Sequence, residues 1–412
     1  MAARRSSPIV LLLLLILGAG LFLTIWWFRQ PKPPDETATL SVVDFADLPG
    51  WTTTDPRNAL VAFGKSCPVL AQKGPSLAMG GGGYAGTAGD WQRACKAIRM
   101  QDTAAAARHV LEGLFAPVEI KADDGSQALF TGYYEPELFA RRKQHGAYRI
   151  PIYGRPSDLV SVDLGAFRDN LKGEHLDGCL QRHRLLPCAT RAEIDKRGLA
   201  DAPILFYASD PISVFFLHIQ GSGRVRLTDD SIVRVVYAGQ NGRPYTSVAR
   251  TLIDRGLLPR GGMSMQAIRA WMKANPLEAQ QVMETDQSYV FFREKPLGDP
   301  SLGSPGSEGI ALTPVASIAV DARFHPLGIP FYIAANRPDP ESRSPDHAFN
   351  QLMIAQDTGG AIRGPDRADI FWGFGSLAES IAGRMKSYGR FFVFLPKPVA
   401  RKLGQKTSLQ PQ

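Results

Sequence analysis

A glycine-rich segment between two apolar runs, residues 356–373, restricts the fold of this chain more than any other stretch. Leu352–Ala355 lead into it and Ile370–Trp372 lead out of it, with Asp357 and Asp369 near the two junctions. Apolar runs on both sides of a glycine-rich turn predict a strand, a loop and a second strand. Glycine lets such a loop fold tightly and leave room for an extended ligand. We therefore expect both carboxylates to lie beside a packed β core. The alternative is that Asp357 only caps the turn and Asp369 is a solvated edge residue.

A third acid follows the same pattern upstream, where Asp321 comes directly after the apolar run Ile318–Val320 and is followed by a turn. Four more blocks stand in order along the chain: Phe130–Pro136, Gln220–Gly223, Tyr237–Gly242 and Met263–Arg269. Together with the three acids, these blocks resemble the membrane-bound lytic murein transglycosylase A family, which cuts bacterial peptidoglycan. The similarity covers residues 130 to 395, approximately.

The resemblance implies a mainly β fold with α-helices, in which a double-ψ β-barrel catalytic domain has a helical N-terminal part and a second, inserted β domain. The chain's own pattern shows two β-rich regions after a helical start, but it does not identify the insertion. The expected organisation is a membrane anchor or signal with its linker in residues 1–35, the N-terminal part of the catalytic domain in 36–134, the inserted β-rich domain in 135–300, the three-aspartate part of the barrel in 301–396 and a flexible tail in 397–412.

Several local elements follow from periodicity and capping residues. The apolar run Val214–Ile219 predicts a strand that contains a buried, hydrogen-bonded His218. Helices are predicted over Asp102–Phe115 with Asp102 as its cap, over Ser247–Arg255 and Ser264–Lys273, and near Leu377–Ser387, while Gly80–Gly83 predicts a flexible surface loop.

The family's catalytic aspartate corresponds to Asp369 in this sequence. The resemblance therefore implies that Asp369 protonates the bond between N-acetylmuramic acid and N-acetylglucosamine and then takes a proton from the sugar's 6-hydroxyl, which closes a 1,6-anhydro ring. One carboxylic acid suffices for such a lyase because the nucleophile is a hydroxyl group of the substrate itself, whereas glycosidases use two carboxylic acids. Asp369 must be protonated near neutral pH, far above the ordinary aspartate pKa of ~3.9. Asp357 and Asp321 are supporting acids, either by charge repulsion or by holding the barrel loops.

A glycan groove combines aromatic platforms with amide and hydroxyl groups that form hydrogen bonds. Core packing for the aromatic residues and a β-turn for residues 220–223 are the alternative interpretations. Glu135 is the best rival acid, although the family does not indicate it as catalytic. The candidates for binding the glycan are Thr131, Tyr133, Tyr134, Gln220, Ser222, Asn241 and Trp372.

Four cysteines make an even count in a chain that is expected to leave the cytoplasm. Cys67 and Cys95 fall in two helical patterns that are close in sequence, and Cys179 and Cys188 bracket a short polar loop. We predict a disulfide in each pair, with buried free thiols as the alternative. The seven histidines show no ligand spacing, so we expect neither a metal nor another cofactor.

The N-terminus carries an uncharged apolar run over residues 9–28. At ~1.5 Å per residue a helix of this length reaches about 30 Å, the thickness of a bilayer core. Arg4 and Arg5 precede it, so we predict an anchor that holds the chain at the periplasmic face of the membrane in a Gram-negative bacterium, with a cleaved signal peptide as the alternative. Many family members are lipoproteins, but no cysteine precedes Cys67. A Pro-rich linker follows in residues 31–40.

The net charge of +8 is too diffuse to indicate nucleic acid as a partner. Peptidoglycan glycan strands are the expected partner, and the sequence leaves open whether proteins of cell-wall synthesis or division bind as well. Two rival functions remain: a non-catalytic wall-binding protein on the same barrel, and a metal-dependent hydrolase whose three aspartates hold a divalent ion.

Overall fold

The computed structural model describes residues 37–98, 101–168, 171, 175–259, 264–341, 346–404 and 407–411. The predicted membrane anchor, most of the linker and Met263 lie outside these residues. Within the described ranges, none of the helices combines the length and the apolar character that a membrane span requires.

The chain begins and ends its described part in strands, and helices occur mainly in two groups. The strands are β1 (Ala38–Val42), β2 (Phe115–Ala122), β3 (Ala128–Glu135), β4 (Glu137–Arg141), β5 (Ile150–Tyr153), β6 (Leu159–Asp163), β7 (His175–Gln181), β8 (Arg184–Leu186), β9 (Ile204–Ala208), β10 (Ser222–Leu227), β11 (Ile232–Gln240), β12 (Val290–Pro296), β13 (Ser317–Val320), β14 (Pro330–Arg337), β15 (His347–Asp357), β16 (Arg367–Phe374), β17 (Lys386–Pro396) and β18 (Thr407–Leu409). The α-helices are α1 (Arg57–Ala71), α2 (Ala88–Ala97), α3 (Ala104–Leu114), α4 (Arg191–Arg197), α5 (Pro211–Gln220), α6 (Val248–Asp254), α7 (Met265–Ala274), α8 (Pro276–Met283), α9 (Gly375–Ala382) and α10 (Lys397–Ala400).

Six strands close into a barrel in the order β14, β15, β13, β16, β3 and β17, and β17 pairs back with β14. The pairs β13–β15 and β16–β3 are parallel, whereas the other pairs of the ring are antiparallel. Strands β2, β1 and β18 continue the sheet from β17. Because β18 pairs with β1 and Leu409 is fully buried, the prediction of a flexible tail over 397–412 is wrong for Thr407–Leu409. This closed barrel in a mainly β chain confirms the predicted fold class.

Aromatic side chains fill the barrel core. Phe331 and Phe391 stack with ring centroids 5.0 Å apart, and Phe130 meets Phe391 edge to face at 5.5 Å. All three rings are fully buried; truncating one such ring to alanine typically costs about 3–5 kcal/mol. Helices α1, α2 and α3 contribute to the same core, and the predicted disulfide between Cys67 and Cys95 joins α1 to α2.

A second sheet of six strands has the order β12, β11, β10, β4, β9 and β5, and a small antiparallel sheet holds β6, β7 and β8. The predicted disulfide between Cys179 and Cys188 ties β7 to the segment before α4. Both half-cystines are buried in a cluster with Tyr153, Tyr289 and other apolar residues.

His218 lies in helix α5, so the predicted strand over Val214–Ile219 is wrong. Asp210 caps this helix by accepting from the N–H of Ile212, Pro211 occupies its first turn, and Gly221 ends it at a φ of 75°. One side of α5 packs into the core of the second sheet and the other into the cluster of α6, α7 and α8. A helix that is buried on all sides is apolar all round, and short apolar runs do not distinguish it from a strand.

Other local predictions also need correction. Thr103, not Asp102, caps α3, because its hydroxyl accepts from the N–H of Ala106. Helix α9 ends at Ala382, since Lys386 already begins β17. In the segment predicted as a free surface loop, the N–H of Gly82 donates to the carbonyl of Phe324 at 2.8 Å, so these glycines pack against the turn after β13.

Candidate active site

Asp357 and Asp369 occupy one row across the barrel. Ala319 of β13 is the Cα partner of Asp357 on one side and of Asp369 on the other, and Asp369 is in turn partnered with Thr131 of β3. Strands in a sheet are ~4.8 Å apart, so the two aspartate Cα atoms are about 10 Å apart. Directly opposed residues share a face of the sheet. The register of β13 and β15 shifts between Ile318 and Ala319, and the charge of Asp357 acts on Asp369 across this row.

Asp369 lies inside β16, flanked by the fully buried Ala368 and Ile370, and not at the junction of loop and strand. This corrects the expected position at the junction; the side chain of Asp369 is only partly buried, while its neighbours Ala368 and Ile370 belong to the core. Asp357 does end its strand. The sequence pattern predicts a loop that extends to Asp369. In the structure the loop ends at Asp366 and β16 begins at Arg367, before the second apolar run.

Asp369 receives one strong hydrogen bond. The hydroxyl of Thr131 donates to its Oδ1 at 2.6 Å, and Nη2 of Arg367 donates to that hydroxyl at 2.7 Å. Burial raises the pKa of Asp369, the guanidinium of Arg367 and the bond from Thr131 oppose the rise, and the charge of Asp357 adds to it. The net pKa is above the ordinary value, as an acid catalyst requires.

Asp357 is held by four donors. The backbone N–H and the hydroxyl of Ser307 and the N–H of Thr358 donate to Oδ1, at 2.9, 3.0 and 2.9 Å, and the hydroxyl of Tyr133 donates to Oδ2 at 2.9 Å. Burial raises the pKa of Asp357 above its ordinary value, and these donors reduce the rise without cancelling it. Burial and the nearby Asp357 hold the pKa of Tyr133 well above its ordinary value, so this phenol keeps its proton and donates it. A carboxylate surrounded by donors is suited to the ionised form.

Asp321 is buried and serves the glycine-rich loop. Its Oδ2 accepts from the N–H of Gly364 at 2.9 Å, and its carboxylate forms an ion pair with Arg323. Burial alone would raise the pKa of Asp321, but the bonds from Arg323 and Gly364 outweigh it and hold the pKa below its usual value. The geometry therefore favours the structural alternative for this acid.

His325 is a residue of this region that the sequence did not single out. Its Nδ1 lies 2.7 Å from the hydroxyl of Tyr84 and its Nε2 lies 2.6 Å from the carbonyl of Pro365. Since a carbonyl only accepts, Nε2 carries the proton and Nδ1 accepts from Tyr84. Burial lowers the pKa of His325 to about 4, so the ring stays neutral and supports the loop between the two acids. A single histidine after a turn gives no sequence signal for this role.

Among the predicted glycan-binding residues, Thr131 and Tyr133 touch the two acids, as described above. Tyr134 is buried, and its N–H donates to Oε1 of Gln220 at 3.1 Å at the end of α5. Ser222 is partly exposed at the start of β10. Trp372 packs in the barrel core, 5.2 Å from Phe349 between ring centroids, and is not an open platform.

Asn241 is fully buried, which corrects its assignment to the groove. Its side-chain amide donates to the carbonyls of Ala189 and Gln287, and its Oδ1 accepts from the N–H groups of Arg243 and Tyr289. These four bonds hold together the loops beside β12. Spacing cannot separate a buried asparagine of this kind from one that binds ligand.

Glu135 is excluded as the acid by its surroundings. It is fully buried, accepts from Nε of Arg224 at 2.9 Å and from Nε of Arg234 at 2.6 Å, and receives the hydroxyl of Ser304 at 2.7 Å. Both oxygens of this carboxyl group are therefore occupied by donors from the protein. It ties the end of β3 to β10 and β11 and to the segment before β13.

Within the ranges that the structure describes, no three His, Cys, Asp or Glu side chains form a group that could hold a metal ion. Asp357 and Asp369 accept hydrogen bonds from protein donors, and Asp321 forms an ion pair with a guanidinium group. This donor set is unlike the cluster of free oxygen ligands that Mg²⁺ or Ca²⁺ requires.

A closed barrel that carries two neighbouring carboxyl groups, both with a raised pKa, has the pair of acids that cleavage of glycosidic bonds by acid–base catalysis uses. Comparison with known proteins identifies the kind. The MltA specific insert domain matches residues 129–293 and the 3D domain matches residues 316–395. The chain belongs to the membrane-bound lytic murein transglycosylase A family.

Relatives and solved structures support the same assignment. Membrane-bound lytic murein transglycosylase A of Escherichia coli strain K12 is 32% identical over 281 residues, 68% of either chain. The protein of that name from Vibrio cholerae is 32% identical over 273 residues, and the match spans 65% of its length. The crystal structure of a membrane-bound lytic murein transglycosylase from Agrobacterium tumefaciens is 30% identical, with a TM-score of 0.76, and the match covers 88% of this chain and 99% of that one. E. coli MltA with bound chitohexaose is 27% identical, with a TM-score of 0.66 and coverage of 89% and 97%.

Proposed function

We propose that this chain is a peptidoglycan lytic transglycosylase that cleaves the β-1,4 bond between N-acetylmuramic acid and N-acetylglucosamine, with Asp369 as its single acid and base. The observation that carries the proposal is the row Asp357–Ala319–Asp369 across the barrel. Burial raises the pKa of both acids, and the charge of Asp357 adds to the rise at Asp369. Asp357 has four hydrogen-bond donors and Asp369 has one, so the ionised form is better stabilised at Asp357, as a division into acid and charge stabiliser requires.

In the first step Asp369 gives its proton to the oxygen of the leaving N-acetylglucosamine. The bond from the anomeric carbon of the muramic acid residue to that oxygen breaks through an oxocarbenium-like transition state. Asp357, whose carboxyl group accepts from Tyr133, Ser307 and Thr358, stabilises in its ionised form the positive charge that develops on the sugar. Asp369 is then a carboxylate.

In the second step the carboxylate of Asp369 accepts the proton of the 6-hydroxyl as its oxygen bonds to the anomeric carbon. This bond closes the 1,6-anhydro ring and restores the protonated acid, so no water is consumed. Well-aligned intramolecular attack can contribute ~7–11 kcal/mol to lowering the barrier. The second carboxyl group, which acts as the nucleophile in a retaining glycosidase, is therefore unnecessary.

The role of Asp357 gives a pH prediction. Asp369 must be protonated to act as an acid, so activity falls as pH rises through its raised pKa. Asp357→Asn removes the negative charge that helps to raise this pKa, so the alkaline limb of the pH profile should move to lower pH. The rate at neutral pH should fall by roughly 10–100-fold. Initial rates of muropeptide release from sacculi between pH 4 and 9 measure both effects.

Asp321→Asn is the matched control for that experiment. Asp321 is not among the groups that shift the pKa of Asp369, and its bonds hold the loop at Gly364. We expect this variant to lose thermal stability while its alkaline limb stays at the parental pH. An unmoved limb in Asp357→Asn would refute the electrostatic role of Asp357.

We further propose that residues 36–134 and 301–396 build the catalytic domain and that residues 135–300 are inserted between them. The sheet topology supports these boundaries. Strand β3 closes a ring with β13–β17, while β4–β12 form the other sheets. The curated relatives are named membrane-bound, and the apolar residues 9–28 are our candidate for the tether, which would hold the enzyme at the periplasmic face of the membrane. Recovery of a shortened, soluble chain from a periplasmic extract would contradict this tether.

Incubating the purified chain with sacculi and identifying the released muropeptides by mass spectrometry tests the proposed function. Anhydro-ended fragments are the expected product. Binding of sacculi without any release would instead indicate a non-catalytic wall-binding protein.

A further inference from the structure

Arg367 is the side chain behind the acid that neither the family blocks nor the three aspartates single out. It precedes Asp369 by two residues on β16 and therefore projects to the same face. Its Nη1 donates to the carbonyls of Ala368, at 2.7 Å, and Leu129, at 3.3 Å, while Nη2 donates to Oγ1 of Thr131 at 2.7 Å. The guanidinium is thus fixed by the backbone of its own strand, β16, and of the neighbouring strand β3.

These contacts define the direction of the hydrogen bond that reaches Asp369. A guanidinium group can only donate, so Oγ1 of Thr131 must accept from Arg367. The one hydroxyl proton of Thr131 is then available for Oδ1 of Asp369, 2.6 Å away. As long as Thr131 donates to Oδ1, the proton of the neutral carboxylic acid is on Oδ2.

We infer that Arg367 is a positioning residue which, through Thr131, places the acid proton of Asp369 on Oδ2 and stabilises the carboxylate left after the proton has moved to the glycosidic oxygen. This inference rests on the proposed function of Asp369. No proton passes between Arg367, Thr131 and Asp369. Asp369 gives the proton on Oδ2 to the leaving group and later takes a proton from the 6-hydroxyl.

The charged and titratable groups around Asp369 are consistent with this role. Arg367 on its own strand is the cation beside it; Tyr133 lies on the neighbouring strand β3, and Asp357 lies on β15, one strand beyond β13. β13 contributes the methyl group of Ala319 to this row, and Lys386 of β17 is the Cα partner of Thr131. Asp366 and Tyr388 act on Arg367. Removing the charge of Arg367 therefore leaves only the bond from Thr131 to oppose the effects of burial and of Asp357 on Asp369.

The test separates positioning from a bracing role, because Arg367 also binds two backbone carbonyls. We would compare Arg367→Met, Arg367→Lys, Thr131→Val and Thr131→Ser with the parent. The matched control is Arg401→Met, at an exposed arginine beyond α10. Two readouts are used: the pKa of Asp369 from carbon NMR of aspartate-labelled protein, with Asp369→Asn assigning the signal, and the pH profile of muropeptide release. Thermal melting identifies any variant that fails to fold.

Arg367→Met and Thr131→Val should both raise the pKa of Asp369 and move the alkaline limb of activity to higher pH. The kcat of both should fall, by up to about 100-fold as reacting groups lose their alignment, with little change in KM. Arg367→Lys should give an alkaline limb between those of Arg367→Met and the parent, and Thr131→Ser should give one close to that of the parent. Arg401→Met should not move the alkaline limb.

If Arg367 only braces the strands, kcat falls while the pKa of Asp369 and the limb stay where they are in the parent, and this result overturns the inference. Folded Arg367→Met and Thr131→Val proteins with opposite shifts would also overturn it. The NMR titration needs no substrate, so it still tests the contact chain if Asp369→Asn remains active, an outcome that would defeat the proposed function alone.

Discussion

Asp369→Asn is expected to abolish murein cleavage and to leave the fold intact. The amide has the shape of the carboxylic acid and can still accept from Thr131 at Oδ1, but it has no acidic proton to give and no carboxylate to receive one. General acid–base groups typically contribute 10²–10⁴-fold. Because Asp369 serves in both steps, we expect a fall of at least ~10³-fold in release of fragments from sacculi. Binding of sacculi in a pull-down assay should be close to that of the parent.

Asp124→Asn is the control for this variant. Asp124 lies in the exposed turn between β2 and β3 and bonds to Ser126, so the same isosteric change there should keep parental activity. Both variants should melt within a few degrees of the parent. An Asp369→Asn protein that still releases fragments at a tenth of the parental rate or more would contradict the assignment of the acid.

Glu135→Gln is expected to cause the largest loss of stability of any single change considered for this protein. Glu135 is buried between Arg224 and Arg234, and the amide would leave two buried guanidinium groups without their counter-ion. Breaking a buried ion pair from one side costs about 3–5 kcal/mol. Urea denaturation should show this as a lower free energy of unfolding with an unchanged slope, provided that unfolding is two-state.

Glu137→Gln is a closely matched control. Glu137 is two residues further along the chain and pairs with Arg226 at 2.9 Å, but both side chains are about one-third exposed. Exposed pairs contribute only about 0–1 kcal/mol. If the two variants lose the same stability, burial is not what makes the Glu135 cluster strong.

Local sequence patterns predict much of the secondary structure but not the closure of the barrel. The apolar runs around residues 356–373 do become β15 and β16, and Ser247 and Ser264 do cap the helices that follow them. No local signal, however, tells β3 to pair with β16 or β14 to pair with β17. Those pairs join residues far apart in the chain, and the choice among alternatives depends on the whole core. Only the family resemblance predicts the closed barrel.

The candidate site shows the same division. The three aspartates stand out as acids next to apolar runs, and Cys67 with Cys95 stand out by position in two helical patterns. Arg367 and His325 do not, because their roles depend on which atoms of β3 and of Pro365 lie beside them. Asn241 shows the opposite error: its polar side chain suggested a ligand, whereas it satisfies buried backbone groups. Only the three-dimensional register distinguishes these cases.

The most direct test is the end group that forms when the purified chain digests sacculi in water enriched in ¹⁸O. Attack by the sugar's own 6-hydroxyl predicts ring-closed muramic acid ends, each lighter by one water than a reducing end and free of ¹⁸O. Reducing ends that carry ¹⁸O would show that water attacks instead, and would contradict the account of Asp369 as the single acid and base of a lyase.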